Sequence, residues 1–273
     1  PRSRGLGDVY KRQMLQNAIS HYFGVLCAKK FPRAIQNFIN KSYVNYFKID
    51  LSEFLPASNY DSLNALFTRS LNQPRKLDEG FISPSDGKIF YAGKGAHNQA
   101  FSIKNCDYNV SELLGLNENE LNDGFDYVGI YLSPRDYHHF HAPCDFELLG
   151  AKYMPGALWS VSKALLKKVK NLYAKNERVV LECKSKDKIF WLVFVGALNV
   201  GKISIDKLPQ IQTNAKQGLA SYKLNDISYQ KGEHIGKFEL GSTIVIIAQD
   251  GFLNLKIQED QSIKYAQNIA DFK

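Results

Sequence analysis

The chain changes character at Pro74, and this change limits the folds open to it. Before Pro74, apolar residues recur every three or four positions, which is typical of amphipathic helices. After it, short apolar and β-branched runs alternate with Gly, Pro and Asn, which is typical of antiparallel strands joined by turns. The sequence therefore predicts an α+β fold, in which N-terminal amphipathic helices precede a mostly antiparallel sheet of barrel-like form. The strands are predicted over 88–92, 127–132, 147–153, 178–183, 189–200 and 243–248.

Helices are predicted over 15–26, from Pro32 to Tyr46, over 61–71 and over 161–170. Residues 1–13 do not fit the pattern that begins at Met14, and we interpret them as a non-native leader. The expected organisation is thus a leader over 1–13, amphipathic helices over 14–50 and one larger domain over 51–273.

Positive charge is concentrated in the helical segment. The formal net charge of the chain is +8, yet no Asp or Glu stands between residues 14 and 49. Basic residues there are Lys29, Lys30, Arg33, Lys41 and Lys48. Two interpretations remain open: helices that pack on a core, or helices that lie on an anionic membrane surface, which the absence of acids slightly favours. A nucleic-acid partner is not expected, because the rest of the chain is nearly balanced in charge.

The cysteines and the hydropathy pattern indicate the redox compartment and the relation of the chain to a membrane. Four cysteines lie far apart without a Cys-x-x-Cys pair, which predicts reduced thiols in a cytosolic compartment. No apolar run reaches the roughly 18 residues that a membrane span needs. We expect a protein that touches a membrane without crossing it.

Chemistry-bearing residues form two clusters ahead of a third feature near the end of the chain. Asp86 lies in a Pro84-to-Gly87 turn, and His138, His139 and His141 follow within a short Tyr-His segment. If that segment is extended, His139 and His141 share one face and His138 takes the other; if it curls into a turn, His138 and His141 come together instead. The cluster fits general acid–base work, a structural role, or a His-x-His zinc site that lacks further ligands, so that no metal is expected.

The third feature is Gly241-Ser242-Thr243, at the start of an apolar strand. A serine oriented by an Asp–His pair can act as a nucleophile. The chain has no Gly-x-Ser-x-Gly elbow of the hydrolase type. The alternative target is the carbonyl of Gly241 itself, which would break the chain and leave a modified residue at position 242.

In these motifs the chain resembles the bacterial, membrane-associated phosphatidylserine decarboxylase proenzymes. The resemblance runs in order through most of residues 63–248. The matching blocks are 66–71, 84–89, 132–143, 155–161, 176–178, 195–201 and 240–243. Within these blocks, His139 stands where the family usually has arginine.

The resemblance implies a self-processing triad of Asp86, His141 and Ser242, with His138 acting on the substrate and Tyr137 and His139 near its headgroup. Cleavage between Gly241 and Ser242 would give a large and a small subunit and turn Ser242 into a pyruvoyl cofactor. The implied reaction converts phosphatidylserine to phosphatidylethanolamine and CO₂ through a Schiff base. The implied setting is the cytoplasmic face of the bacterial inner membrane, with a homodimer as the assembly.

Three other functions stay open at this point. An Asp-His-Ser hydrolase would keep a single intact chain. A pyruvoyl decarboxylase of a soluble amino acid would not be recruited to lipid vesicles. A non-catalytic membrane-binding module would be insensitive to a Ser242→Ala substitution.

Overall fold

The computed structural model describes residues 24–95, 101–103, 106–117, 124–161, 169, 171–197, 202–213, 218–239 and 242–273. The proposed leader over 1–13 lies outside these residues, as do most of the helices predicted over 15–26 and 161–170. The side chains of 101–103, 106–108 and 242 are likewise outside the description.

Within the described residues, two helices precede the strands and two short ones lie between strands. They are α1 (Arg33–Phe47), α2 (Leu63–Phe67), α3 (Val110–Leu114) and α4 (Leu172–Lys175), with a 3-10 turn at Ala57–Asn59 and helical residues at 24–28. As predicted, α1 begins directly after Pro32, and it ends at Lys48, whose φ of 52° is left-handed. The helix expected over 61–71 is confined to α2, capped by the Ser62 hydroxyl, which accepts from the Ala65 amide at 3.0 Å.

Helix α1 buries polar residues and exposes apolar ones. Gln36 and Asn40 are buried, whereas Phe38 and Tyr46 are 73% and 80% exposed. The Gln36 amide donates to Asn40, and Asn40 donates to the carbonyls of Ala57 and Tyr60. The apolar side predicted from the sequence is therefore largely uncovered by the described part of the protein.

The strands confirm the predicted runs with small changes at their ends. In chain order they are β1 (Phe81–Ile82), β2 (Gly87–Gly95), β3 (Phe101–Ile103), β4 (Cys106–Tyr108), β5 (Phe125–Leu132), β6 (His139–His141), β7 (Phe146–Met154), β8 (Arg178–Ser185), β9 (Lys188–Gly196), β10 (Lys202–Ile205), β11 (Ala220–Lys223), β12 (Ser228–Tyr229), β13 (His234–Glu239), β14 (Ser242–Gln249), β15 (Leu253–Leu255), β16 (Ser262–Ile263) and β17 (Asn268–Phe272).

A nine-stranded sheet organises the molecule. Its order is β11-β7-β8-β9-β14-β5-β2-β16, with β12 also pairing β7, and its pairs are antiparallel. Smaller sheets are β10-β13-β6, β1-β17-β15 and β3-β4. The mostly antiparallel α+β prediction is confirmed, but the barrel-like form is not: the sheet paths just given are open and do not close on themselves.

Strand β14 holds the centre of the large sheet because its residues suit burial on both faces. Ile244 through Ala248 are at most 1% exposed, as expected of a β-branched run flanked by strands on either side. The smaller β6-β13 layer packs on this sheet through Phe140, whose ring stacks on Phe194 at 4.0 Å. This packing places the Tyr-His segment on β9, the strand that pairs with β14.

None of the helices within the described ranges is long and apolar enough to cross a membrane.

Candidate active site

Asp86 lies at the start of β2, where its carboxylate is held by an arginine. Arg75 donates to both carboxylate oxygens, at 2.5 Å and 3.1 Å, and the Tyr265 amide donates at 2.8 Å. Glu53 binds the other side of the same guanidinium, and this hydrogen bonding lowers the pKa of Glu53 to about 2. Burial opposes the charge of Arg75, but the bonds to Asp86 and Glu53 outweigh it and raise the pKa of Arg75.

His141 is buried and has a hydrogen bond at each ring nitrogen. Its Nδ1 lies 3.0 Å from the Gly232 carbonyl oxygen, which can only accept, so Nδ1 carries the proton. The Tyr137 hydroxyl, 3.0 Å from Nε2, is then the donor to that lone pair. Desolvation first, and the charges of nearby histidines and Arg75 second, lower the pKa of His141 to about 3. The Gly232 carbonyl thus fixes the proton on Nδ1, and burial favours the neutral imidazole, whose basic nitrogen faces Tyr137.

His138 is fully buried and only half satisfied. Its Nδ1 donates to the Asp136 carbonyl at 2.8 Å, and its ring lies 3.9 Å from that of Phe67. No hydrogen-bond partner reaches Nε2 among the described residues. Burial, followed by the charge of Arg69, lowers the pKa of His138 to about 3. A buried lone pair without a donor is costly, and such groups are often retained for chemistry.

His139 is the middle of a hydrogen-bonded chain that reaches solvent. Its Nε2 donates to the Thr68 carbonyl at 2.9 Å, its Nδ1 lies 2.7 Å from His234, and His234 donates to Asp206 at 2.6 Å. Because the carbonyl and the carboxylate only accept, His139 Nε2 and His234 Nδ1 each carry a proton. Desolvation is the main cause that lowers the pKa of His139 to about 4.

The histidines alternate as an extended segment requires. The Tyr137 ring stacks with those of His139 at 5.0 Å and His141 at 5.8 Å, so these three side chains share a face. Residues 138 and 140 belong to the opposite face, and Phe140 packs on the large sheet. The extended alternative given by the sequence is therefore confirmed, and the curled one is wrong.

Ser242 is the first residue of β14, and its backbone lies between two strands. It pairs with Leu132 of β5 on one side and Gly196 of β9 on the other. Gly196 is fixed by Asn176, whose side-chain amide donates to its carbonyl at 2.8 Å. The block 176–178, which the sequence comparison with the family singled out, thus frames the strand end that carries Ser242.

These candidates gather at one end of the sheet without forming a direct triad. Tyr131 of β5 pairs with both Thr243 and Lys88, so Asp86 and Ser242 stand near the same strand ends, two strands or roughly 10 Å apart. The His141 amide donates to Pro84, two residues before Asp86. No hydrogen bond between the Asp86 and His141 side chains occurs in the described structure. The Ser242 side chain and Gly241 lie outside the described residues.

Sequence reasoning missed the residues that hold the site together. Arg75 carried no signal beyond its place after Pro74, and Tyr265 carried none. Arg69 stood in a block of the family resemblance without an assigned role. It is 1% exposed, and it donates to the carbonyls of Arg135 and Asp136, which fixes the turn before His138.

No group of three or more potential metal ligands among His, Cys, Asp and Glu is found in the part of the chain that the structure describes.

Comparison with known proteins supplies the family. The phosphatidylserine decarboxylase family profile matches residues 63–271. The chain is 51% identical to the phosphatidylserine decarboxylase proenzyme of Campylobacter jejuni, over 92% of this chain and 97% of the relative. It is 46% identical to that of Helicobacter pylori strain J99 over 94% and 98%, and 35% identical to that of Brevibacillus brevis over 94% and 95%. The chain belongs to the phosphatidylserine decarboxylase family.

Proposed function

We propose that the chain is a precursor that cuts itself between Gly241 and Ser242 and then decarboxylates phosphatidylserine, giving phosphatidylethanolamine and CO₂. The observation that supports this proposal is that Asp86, and His141 through its bond to Pro84, lie near the strand ends where β14 begins with Ser242. Family membership and the proenzyme names of the relatives support both halves of the activity.

The cut needs only groups of this chain and one water. The Ser242 hydroxyl oxygen adds to the Gly241 carbonyl and the Ser242 nitrogen leaves, which converts the peptide bond to an ester. Loss of the Ser242 α-proton then expels the Gly241 carboxylate and leaves a dehydroalanine. Water replaces its nitrogen, which departs as ammonia, and position 242 becomes a pyruvoyl group. The large subunit ends at Gly241, and the small subunit is 242–273.

His141 is the base that we assign to the serine proton, as the family resemblance implies. Its neutral form and its Nδ1–H tautomer support that role, since Nε2 keeps a lone pair. Tyr137 donates to that nitrogen, so a proton from Ser242 reaches Nε2 through the Tyr137 hydroxyl or after this bond opens. Asp86 acts on His141 indirectly, through the residues that both of them contact.

Among the described residues, His138 Nε2 is buried without a hydrogen-bond partner, which fits a polar group that the precursor does not yet carry. A pyruvoyl group would supply a ketone that binds the substrate amine and takes up the electrons released as CO₂ leaves. We assign His138 Nε2 to moving a proton at the reacting carbon, and the dry surroundings of this ring exclude water.

A lipid substrate stays in its bilayer, so the site has to come to the membrane. On α1, Ile35 is 51% and Phe38 73% exposed, and basic residues without acidic ones occupy the surrounding sequence. Apolar side chains next to lysine and arginine are suited to an anionic interface. We therefore place α1 at the cytoplasmic surface of the inner membrane as a peripheral anchor.

Denaturing mass spectrometry tests the proposal most directly. The purified wild-type chain should give two fragments that meet at 241/242, and the smaller should have a blocked, carbonyl-reactive end. Their summed mass should equal that of the precursor plus one water minus one ammonia. Ser242→Ala and His141→Ala should each remain a single chain, whereas the control Ser262→Ala, on an exposed residue of the same segment, should be cut normally.

An intact wild-type chain with serine at position 242 and hydrolytic activity would replace this proposal with the hydrolase. Loss of CO₂ from phosphatidylserine in vesicles, and not from free serine, should accompany the cut. The opposite preference would indicate a decarboxylase of a soluble amino acid.

A further inference from the structure

Tyr265 contacts more of the candidate site than any sequence motif suggests. Its amide donates to Asp86 at 2.8 Å, and its ring stacks on that of His141 with 3.8 Å between centroids and 15° between planes. Its hydroxyl donates to the Gly232 carbonyl at 3.0 Å, the same oxygen that accepts from His141 Nδ1. One residue thus touches both the carboxylate and the imidazole, which do not bond to each other.

The position of Tyr265 in the chain means that this contact would join the two subunits. If the chain is cut after Gly241, Tyr265 belongs to the small subunit, whereas Asp86, His141 and Gly232 all belong to the large one. Strand β16 ends two residues before Tyr265 and pairs with β2, which begins directly after Asp86, with Ile263 opposite Gly87. The C-terminal segment is therefore fastened at the point where it reaches the site.

The stacked ring controls the environment of the imidazole. Tyr265 is 5% exposed and covers one face of His141, which is 8% exposed. A ring kept dry in this way stays neutral, and a neutral imidazole is the form that accepts a proton. The hydroxyl on Gly232 also holds the carbonyl that fixes the Nδ1–H tautomer, so the lone pair stays at Nε2.

We propose that Tyr265 is a positioning residue for self-processing, through which the future small subunit orients His141 and Asp86 for the cut that creates it. This inference rests on the proposed function. It also implies that the two fragments remain bound after the cut, since β14, β16 and β17 stay paired with strands of the large subunit.

The test follows the appearance of the small fragment in cell-free translation, with the pH set between 5.5 and 8 after a pulse of labelled amino acid. Wild-type cutting should be nearly independent of pH, because His141 titrates well below this range. Tyr265→Leu uncovers the imidazole, whose pKa then approaches about 6.5, so its cutting should be roughly tenfold slower at pH 5.5 and should recover as the pH rises. Tyr265→Phe keeps the ring and should restore the flat profile.

Tyr229 provides the control, because it is similarly buried and its ring stacks on Phe146 instead of a histidine. Tyr229→Leu should cost similar stability and leave the pH profile flat. A Tyr265→Leu chain that cuts with the wild-type rate and profile overturns the inference, and so does a Tyr265→Phe chain as slow as Tyr265→Leu. If the wild-type chain itself is never cut, the proposed function fails before this question arises.

Discussion

Helix α1 and the histidine segment both depart from the rule of apolar residues inside and polar residues outside, but in opposite directions. Helix α1 leaves Phe38 and Tyr46 in solvent and buries Gln36 and Asn40. The histidine segment buries imidazoles and leaves His138 Nε2 without a donor. An exposed apolar face indicates a binding surface for a partner or a membrane. An unsatisfied buried polar atom indicates a ligand or a reaction within the site.

The two regions also differ in how their buried polar groups are satisfied. On α1 the amides bond to each other and to the carbonyls of Ala57 and Tyr60, so the polar side of the helix is its docking side. In the site, the satisfied histidines are His139 and His141, and the unsatisfied one is His138. Structural need explains the hydrogen bonds of the α1 amides, whereas chemistry is the better explanation of the unsatisfied nitrogen of His138.

The largest expected effect is the loss of stability in acid, which should come from the site and not from α1. The pKa values of His138, His139 and His141 are lowered to about 3 or 4, so the unfolded chain takes up protons near pH 6 that the folded chain refuses. Stability should therefore fall as the pH decreases from about 6.5 to about 4, with a slope of up to about 4 kcal/mol per pH unit.

Urea unfolding at a series of pH values checks this slope. His139→Gln removes one of the three groups and should reduce the slope by about a third. Carboxylates such as Glu53 change the stability only below about pH 4.5. A free energy of unfolding that does not change between pH 6.5 and 4.5 would mean that these imidazoles are charged or exposed in the folded protein.

The second-largest expected effect is on decarboxylation, and it distinguishes His138 from the histidines whose ring nitrogens are both hydrogen-bonded. His138→Gln should still cut at 241/242 but should lose at least about 100-fold in decarboxylation, because the group assigned to proton transfer is gone. His139→Gln is the control for the loss of a neighbouring buried imidazole in the same Tyr-His segment. A His138→Gln chain that decarboxylates normally would make the orphan nitrogen a structural feature only.

A smaller effect is expected on the exposed side of α1. Changing both Ile35 and Phe38 to Ser should weaken binding to anionic vesicles by roughly 2 kcal/mol, or about 30-fold, because less apolar area can enter the interface. Sedimentation with vesicles measures it. Leu219→Ser, on a side chain that is 69% exposed elsewhere, is the matched control, and equal losses in both variants would remove α1 from the membrane contact.

The smallest effect tests the docking side of the same helix. Asn40→Ala deletes the bonds to Ala57 and Tyr60 and should cost about 1 kcal/mol, seen as faster amide exchange within α1. Asn45→Ala is the control, because Asn45 is an exposed residue of the same helix. Unchanged exchange in the Asn40→Ala chain would show that the helix is held by its other contacts.

Strand positions could be read from the sequence because they depend on local pattern. The runs at 88–92 and 243–248 became β2 and β14 because their β-branched and apolar residues suit burial between neighbouring strands. The start of α1 after Pro32 was equally local. The barrel-like closure was wrong because closure depends on which edge strands meet, and no local pattern records that.

The candidate residues were also found locally, but their partners were not. Asp86 was expected to bind His141. In the structure Asp86 accepts a hydrogen bond from Arg75, and His141 bonds to Tyr137 and to the Gly232 carbonyl. The prediction that Asp86, His141 and Ser242 act together stays a prediction.

The sequence by itself determined the α+β class, most of the strands and the set of groups able to act at the 241/242 bond, since each depends on side-chain type and spacing over a few residues. Only the tertiary structure decided that α1 turns its apolar side outward and that Tyr265, 179 positions after Asp86, donates to that carboxylate. The environment of a buried charge is set by whichever distant segments pack around it, and a short window of sequence contains no information about those segments.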